Sequence, residues 1–194
     1  MNHPLFQLLN GRRGHFELES GFHGEWWFEL DALFQEPDRL RPFTAELAQR
    51  LARHRVELVC GPMTGGAELA RLVGDELGLP TFFSERFVPP ETAGLFPVRY
   101  VIPAAQRPHL KGRFVAIVDD AISAGSAVRG TYADLIACGA RPVVLGALYV
   151  FGDGAARFAT EAGLELEALA NRPLGIWRPE ECPLCRSDMQ LEKV

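Results

Sequence analysis

The 194-residue chain is poor in the features that mark several protein classes. It has only four cysteines, too few for a disulfide-built scaffold. It has no excess of basic charge: the formal net charge is −5, so neither nucleic acid nor an anionic membrane surface is attracted to it in general. No apolar run approaches the ~20 residues that span a bilayer. Asn2, His3 and Pro4 precede only a short apolar patch, without the basic start and long apolar core of a signal peptide. Internal repeats and low-complexity segments are absent. What remains is an apolar fraction of 47% and a charged fraction of 23%, ordinary values for one globular domain with a sizeable core. The expected compartment is the cytoplasm.

The pattern of what is present is that of an α/β protein. Gly14 to Leu30 reads as two short strands around Ser20-Gly21-Phe22-His23-Gly24, the second bearing Trp26, Trp27 and Phe28. Leu40, Phe43, Leu47 and Leu51 recur at helical spacing between Pro37 and Arg55. Strands then alternate with helices: Val56 to Cys60, a helix from Ala67 to Leu77, Thr81 to Ser84, Phe114 to Val118, a helix from Ala127 to Cys138, and Val143 to Phe151. This alternation predicts a mostly parallel central sheet with helices on both faces. The proline-rich stretch from Val88 to Gly112 breaks the pattern, with a strand or arm expected within Gly94 to Pro103; so long a segment reads as functional or mobile. The chain is expected to be a single domain over 1–194, with hood elements at 1–36 and an irregular tail at 172–194.

The chemistry concentrates in Phe114 to Ala127. An apolar strand ends abruptly in Asp119 and Asp120, followed by Ala121, Ile122, Ser123, Ala124, Gly125, Ser126 and Ala127, where a helix begins. Small residues let backbone N–H groups approach a phosphate at the positive end of the helix, and Gly125 permits a tight turn. Two carboxylates would repel a phosphate, so they must face another part of the same ligand. Vicinal ribose hydroxyls, which are donors, fit them. A plain turn with a helix cap accounts for one carboxylate, not two. Phosphate and diol together describe a ribose 5-phosphate site at a strand's carboxyl end.

Val115 to Ser126 resembles the phosphoribosyl-diphosphate motif of type I phosphoribosyltransferases. Cys60 to Gly66 is similar to their pyrophosphate loop, which marks Met63, Thr64 and Gly65 as substrate-binding. Gly14 to His23 with the aromatic strand resembles the hood of orotate phosphoribosyltransferases, and Glu181-Cys182-Pro183-Leu184-Cys185-Arg186 resembles the tail of a bacterial subset of them. The resemblance implies the type I phosphoribosyltransferase fold with a small N-terminal hood. It implies transfer of ribose 5-phosphate from phosphoribosyl diphosphate to a nucleobase, orotate first among them, in pyrimidine nucleotide biosynthesis. It further implies Mg²⁺ bound with the diphosphate, and a homodimer whose 88–112 segment reaches into the neighbouring site. Asp119, Asp120 and Arg86 fall at catalytic positions and His23 near the substrate, with Trp26 to Phe28 walling the base pocket. No nucleic-acid or membrane partner is implied.

The sequence also departs from that family. No lysine or histidine follows Arg86 in Val88 to Thr92; Arg99, Arg107, His109 and Lys111 are the displaced candidates. The arginine that would grip an orotate carboxylate is missing from Gly152-Asp153-Gly154, leaving Arg157 as its substitute. Transfer to a neutral base and a non-catalytic sensor of phosphoribosyl diphosphate therefore stay open. Cys182 and Cys185 make half of a zinc site, which needs four ligands; packing or redox roles are expected for them. His15, His54 and His109 are expected to be surface or structural groups.

Overall fold

The computed structural model describes residues 3–89 and 94–194. The chain opens with a short 3-10 turn and an antiparallel pair, β1 (Gly11–Glu17) and β2 (His23–Phe28), leading to α1 (Pro37–Leu51). Then follow β3 (Leu58–Pro62), α2 (Gly65–Leu77), β4 (Thr81–Phe87), β5 (Arg99–Val101), β6 (Phe114–Ile122), α3 (Ser126–Ala137), β7 (Arg141–Phe151), α4 (Gly154–Ala162) and β8 (Glu165–Arg172). The chain closes with β9 (Ile176–Trp177), the single-turn α5 (Pro183–Arg186) and β10 (Glu192–Lys193).

The main sheet has the order β5-β4-β3-β6-β7-β8, parallel except for β5. Successive residues of a strand point to opposite faces, and two apolar cores result. Val59, Ala116, Val118, Val144 and Leu148 pack with Leu40, Leu47 and Leu51 of α1 and Leu69, Ala70 and Val73 of α2. Leu58, Cys60, Val115, Ile117 and Leu145 pack with Val128 and Leu135 of α3 and Ala155 and Phe158 of α4. The expected parallel sheet covered on both faces is present. The chain winds outward from β3 in one direction and from β6 in the other, so the crevice beyond their carboxyl ends is a topological switch point.

The structure adds detail to two expectations. The tail expected at 172–194 contributes two short strands: β9 and β10 flank the hood pair in a four-stranded sheet of order β10-β1-β2-β9. Strands of two residues give little periodicity to read, and only pairing with β1 and β2 orders them. The stretch from Val88 to Gly112 is anchored at a few points, with Val98, Tyr100, Ile102 and Leu110 buried and its other described residues exposed or half-buried. Its expected strand is β5, antiparallel to β4 through Arg86↔Tyr100, and Ile102 and Leu110 are fully buried. Pro90 to Ala93 lie outside the described residues. Among the described residues, no helix is long and apolar enough to cross a membrane.

An aromatic ladder ties the hood to the main sheet. Phe151 of β7 stacks on Phe28 of β2 at 4.7 Å between centroids, and Trp26 stacks on Phe28 in turn. The Tyr149 hydroxyl donates to the Leu5 carbonyl at 2.7 Å, fixing the start of the chain to the same place.

Candidate active site

A cavity of about 590 Å³ sits at the switch point, between the carboxyl ends of β3 and β6 and under the hood. Its floor is the turn Pro62 to Gly66 and the end of β6 at Asp119, Asp120 and Ala121; its wall is Trp27 and Phe28. A second, adjoining pocket is lined by Ile122, Ser123, Ala124, Gly125, Ser126 and Ala127, and shares Asp119, Ala121, Trp27 and Glu19 with the first. The two loops singled out in the sequence are therefore parts of one depression.

Local sequence explains the loop shapes. Gly125 has φ +86° and turns the chain into α3, a conformation costly for any side chain bearing a Cβ. Gly61, Gly65 and Gly66 permit close approach. A Cβ on Gly61 would collide with the Gly66 carbonyl, and one on Gly65 with the Asp120 carboxylate. A Cβ on Gly66 would lie 2.7 Å from Asp119 Oδ1. The turn after β3 and the carboxylates ending β6 are thus fitted to each other. Gly65→Ala is expected to displace the Asp120 carboxylate and lower turnover on the order of 10²-fold, the usual result of a small misplacement in a reactive site. Steady-state rates checked against an unchanged circular dichroism spectrum test this, and ordinary turnover in the variant would refute the fit.

Asp119 and Asp120 are both buried. The Asp120 amide lies 3.2 Å from Asp119 Oδ1, and the Ala121 amide donates to Asp120 Oδ1 at 2.8 Å. Burial raises both carboxyls above the usual carboxylate range. Asp120 is pushed up to about 6, and Asp119 is raised well above its ordinary value, with the neighbouring Asp120 adding to the effect. Glu19, Glu29 and Asp31 also line the cavity, and no lysine, arginine or histidine does so among the described residues.

Glu19, in the turn between β1 and β2, was not singled out from the sequence. Its carboxylate accepts from Arg86 Nε at 2.7 Å, from the Tyr100 hydroxyl at 2.8 Å and from Ser126 Oγ at 3.3 Å. One hood carboxylate thereby holds the basic group of β4, a β5 hydroxyl and the first residue of α3. An isolated acidic residue in a turn carries no signal of such contacts; only the tertiary fold makes them.

Several expected residues lie elsewhere. His23 was expected beside the substrate, but it is buried among His15, Cys182 and Cys185, with its Nδ1 3.0 Å from His15 Nε2. Its side chain leaves the cavity because β2 begins at this residue, under the C-terminal tail. Burial, with His15 close by, lowers its pKa. His15, expected at the surface or in a structural role, is buried in the same place. Trp26 lies behind the cavity wall, and Phe151 is buried against Phe28, so both support the wall without lining it.

Of the displaced basic candidates, Arg107 makes two bonds to Asp134 at 2.8 and 2.7 Å and another to the Ile102 carbonyl. His109 packs near Phe82, and Lys111 lies beside Gly139. Both precede β6 and so sit at the opposite end of that strand from the Asp pair. Arg99 lies on β5, lining a separate groove with Ser126 and Arg129. Arg157 pairs with Asp153 at 2.9 Å on the exposed side of α4. Gly152-Asp153-Gly154 is the turn from β7 into α4, in which a Cβ on Gly154 would strike the Ser123 carbonyl.

A mostly parallel sheet with an Asp-Asp pair near the end of its central strand β6 and a facing glycine turn at its switch point, beneath a small hood, is the architecture of a type I phosphoribosyltransferase. No protein-family model matches the chain. Named relatives cover nearly all of it. Orotate phosphoribosyltransferase of Thermotoga maritima is 31% identical over 183 residues, covering 93% of this chain and 89% of the relative. That of Caldanaerobacter subterraneus is 28% identical over 181 residues, with 93% and 88% covered. The chain belongs to the orotate phosphoribosyltransferase family. Among solved structures, orotate phosphoribosyltransferase from Aeropyrum pernix superposes with a TM-score of 0.60 at 24% identity, over 83% of this chain and 87% of that one. Adenine phosphoribosyltransferase from Thermoanaerobacter pseudethanolicus gives 0.66 at 15% identity, over 86% and 97%.

Proposed function

We propose that the protein transfers the 5-phosphoribosyl group of phosphoribosyl diphosphate to orotate, releasing pyrophosphate. The observation that carries this reading is the meeting of the buried Asp119–Asp120 pair with the Pro62–Gly66 turn in one cavity. The carboxylates accept from the two ribose hydroxyls. The backbone and hydroxyls of Ser123 to Ala127 hold the 5-phosphate at the start of α3. Met63, Thr64 and Gly65 take the pyrophosphate, with Arg86 as its cationic partner. As the bond to pyrophosphate breaks, positive charge grows on the sugar ring. Asp119 and Asp120 face it from the buried floor, where a carboxylate that gives up its proton acts strongly on that charge.

Mg²⁺ is the proposed companion of the diphosphate. An acidic cavity repels a polyanion, and the buried oxygen donors of Asp119 and Asp120 suit a hard divalent cation. Such an ion supplies charge neutralisation and a template for the diphosphate oxygens. A homodimer is proposed as well, because Phe87, Val88, Phe96 and Val101 stand exposed around the β4–β5 edge, an apolar surface suited to a second copy. The four cysteines are free, which supports the cytoplasm as the compartment.

One observation favours a second acceptor. Orotate is an anion, and a carboxylate taken from water without a cation is costly to bind; no basic side chain lines the cavity among the described residues. A neutral base meets no such penalty against Trp27 and Phe28. Pyrophosphate release measured with Mg²⁺, phosphoribosyl diphosphate and each base separately tests the proposal. Release with orotate is expected. Release with a neutral base only would replace the acceptor. No release with any base, alongside a thermal shift from phosphoribosyl diphosphate, would make the protein a sensor.

A further inference from the structure

The tail cysteines gain their missing partners from the hood. His15 on β1, His23 at the start of β2, and Cys182 and Cys185 around α5 each turn one ligand atom inward, and these four atoms lie within 4.8 Å of one another. We propose that they form a structural zinc site that pins the C-terminal tail to the hood.

The distances fit such a site. With Zn–N of about 2.0–2.1 Å and Zn–S of about 2.3 Å, a regular tetrahedron has edges of about 3.3 Å between nitrogens and about 3.6 Å between nitrogen and sulfur. The observed separations are 3.0 Å from His15 Nε2 to His23 Nδ1, 3.5 Å from His15 Nε2 to Cys182 Sγ, and 3.6 and 3.2 Å from Cys185 Sγ to the two ring nitrogens. Two histidine nitrogens and two thiolates make a closed donor set of the kind that selects zinc.

Ordinary hydrogen bonding accounts for the cluster less well. The Nδ1 of His15 lies 2.8 Å from the Met189 carbonyl, which can only accept, so that nitrogen carries the proton and Nε2 presents a lone pair. A single lone pair then faces His23 and both sulfurs, although it can accept well from only one of them. A cation at the centre satisfies all four groups at once. The Met189 carbonyl is also the outer partner expected of a ligating histidine, fixing its tautomer and ring orientation.

The backbone prepares the site. The β1–β2 register shifts between Arg13 and Phe16, and such a bulge re-aims a side chain, here His15. Cys182 caps α5, and Cys185 follows within its single turn, which brings the two sulfurs to one side. His15, His23 and Cys182 are buried while Cys185 is exposed, leaving a way in for the ion. The site lies outside the cavity, so it holds whichever base is the acceptor. Its role is to fix β2, whose Trp27 and Phe28 form the cavity wall.

Metal analysis of the full chain, purified under reducing conditions with zinc in the growth medium, is expected to give about one zinc per chain, as a closed four-ligand site retains its ion. Cobalt exchanged into the wild-type protein should show thiolate charge-transfer and tetrahedral bands, and Cys185→Ser should diminish the charge-transfer absorption. A strong chelator should lower the melting temperature of the wild type by several degrees, because ion binding adds to folding stability. These wild-type readouts do not depend on a variant folding. Protein that takes up no zinc, shows no cobalt–thiolate absorption and melts identically with and without chelator would overturn the proposal.

Discussion

Replacing Asp119 and Asp120 together by asparagine is expected to lower turnover by on the order of 10²–10³-fold, the usual scale for removing a preorganised group that faces developing charge. Affinity for phosphoribosyl diphosphate with Mg²⁺ should fall with it. The ligand-free protein should become more stable. Both carboxyls are raised by burial, Asp120 to about 6 from an ordinary 3.8, so the folded chain holds their protons more tightly than the unfolded chain does. Between the two values the folded state binds more protons, and stability therefore falls as pH rises. The decline begins near pH 4 and runs through about pH 6 as Asp120 gives up its proton, and Asp119, raised in the same direction, adds to it. The asparagine pair removes this loss. It should melt above the wild type at pH 8, with the gap closing towards pH 4. Calorimetry across that range, paired with ligand titrations, checks both halves. Unchanged ligand affinity in the variant would remove the ribose role, and a pH-independent gap would remove the burial argument.

Arg86→Ala should lower turnover by roughly 10- to 100-fold, the size of a lost charge-assisted contact of ~1.5–3 kcal/mol. The Glu19 contact makes the opposite prediction for its partner. In the ligand-free protein the Glu19 carboxylate occupies Arg86 and Ser126 Oγ, two groups proposed to meet the diphosphate and the 5-phosphate. Glu19→Gln keeps the shape and removes the competing charge. Binding of phosphoribosyl diphosphate should then tighten several-fold, because less has to be displaced. Isothermal titration of both variants separates the effects; weaker binding in Glu19→Gln would make Glu19 part of the ligand site rather than its competitor.

The Asp-Asp motif and the glycine turn are legible in sequence because each is local. The strand's extent is not: β6 runs on to Ile122, pairing with β7 through Asp119↔Ala147 and Ala121↔Tyr149, where a loop was expected after Val118. Also legible are β3, α2, β6 and α3 as elements, whose apolar periodicity is set by burial within the element itself. His23 shows the opposite case. Its place in a hood turn suggests a substrate contact, but strand register and a tail more than 150 residues away decide where its ring points. Arg107 and Lys111 likewise look like displaced loop cations until the fold puts one on Asp134 and the other at the far end of β6.

Sequence alone therefore determined the alternating architecture and the Asp119–Asp120 and glycine-turn motifs on which the proposed ribose phosphate site rests, since short-range sterics and periodic burial dictate these. Tertiary structure alone decided that Glu19 restrains Arg86, that the cavity is acidic without a lining cation among the described residues, and that two histidines meet the tail cysteines. Each of those facts joins groups far apart in the chain. Their meeting depends on how sheets register and pack, which no local run of residues encodes.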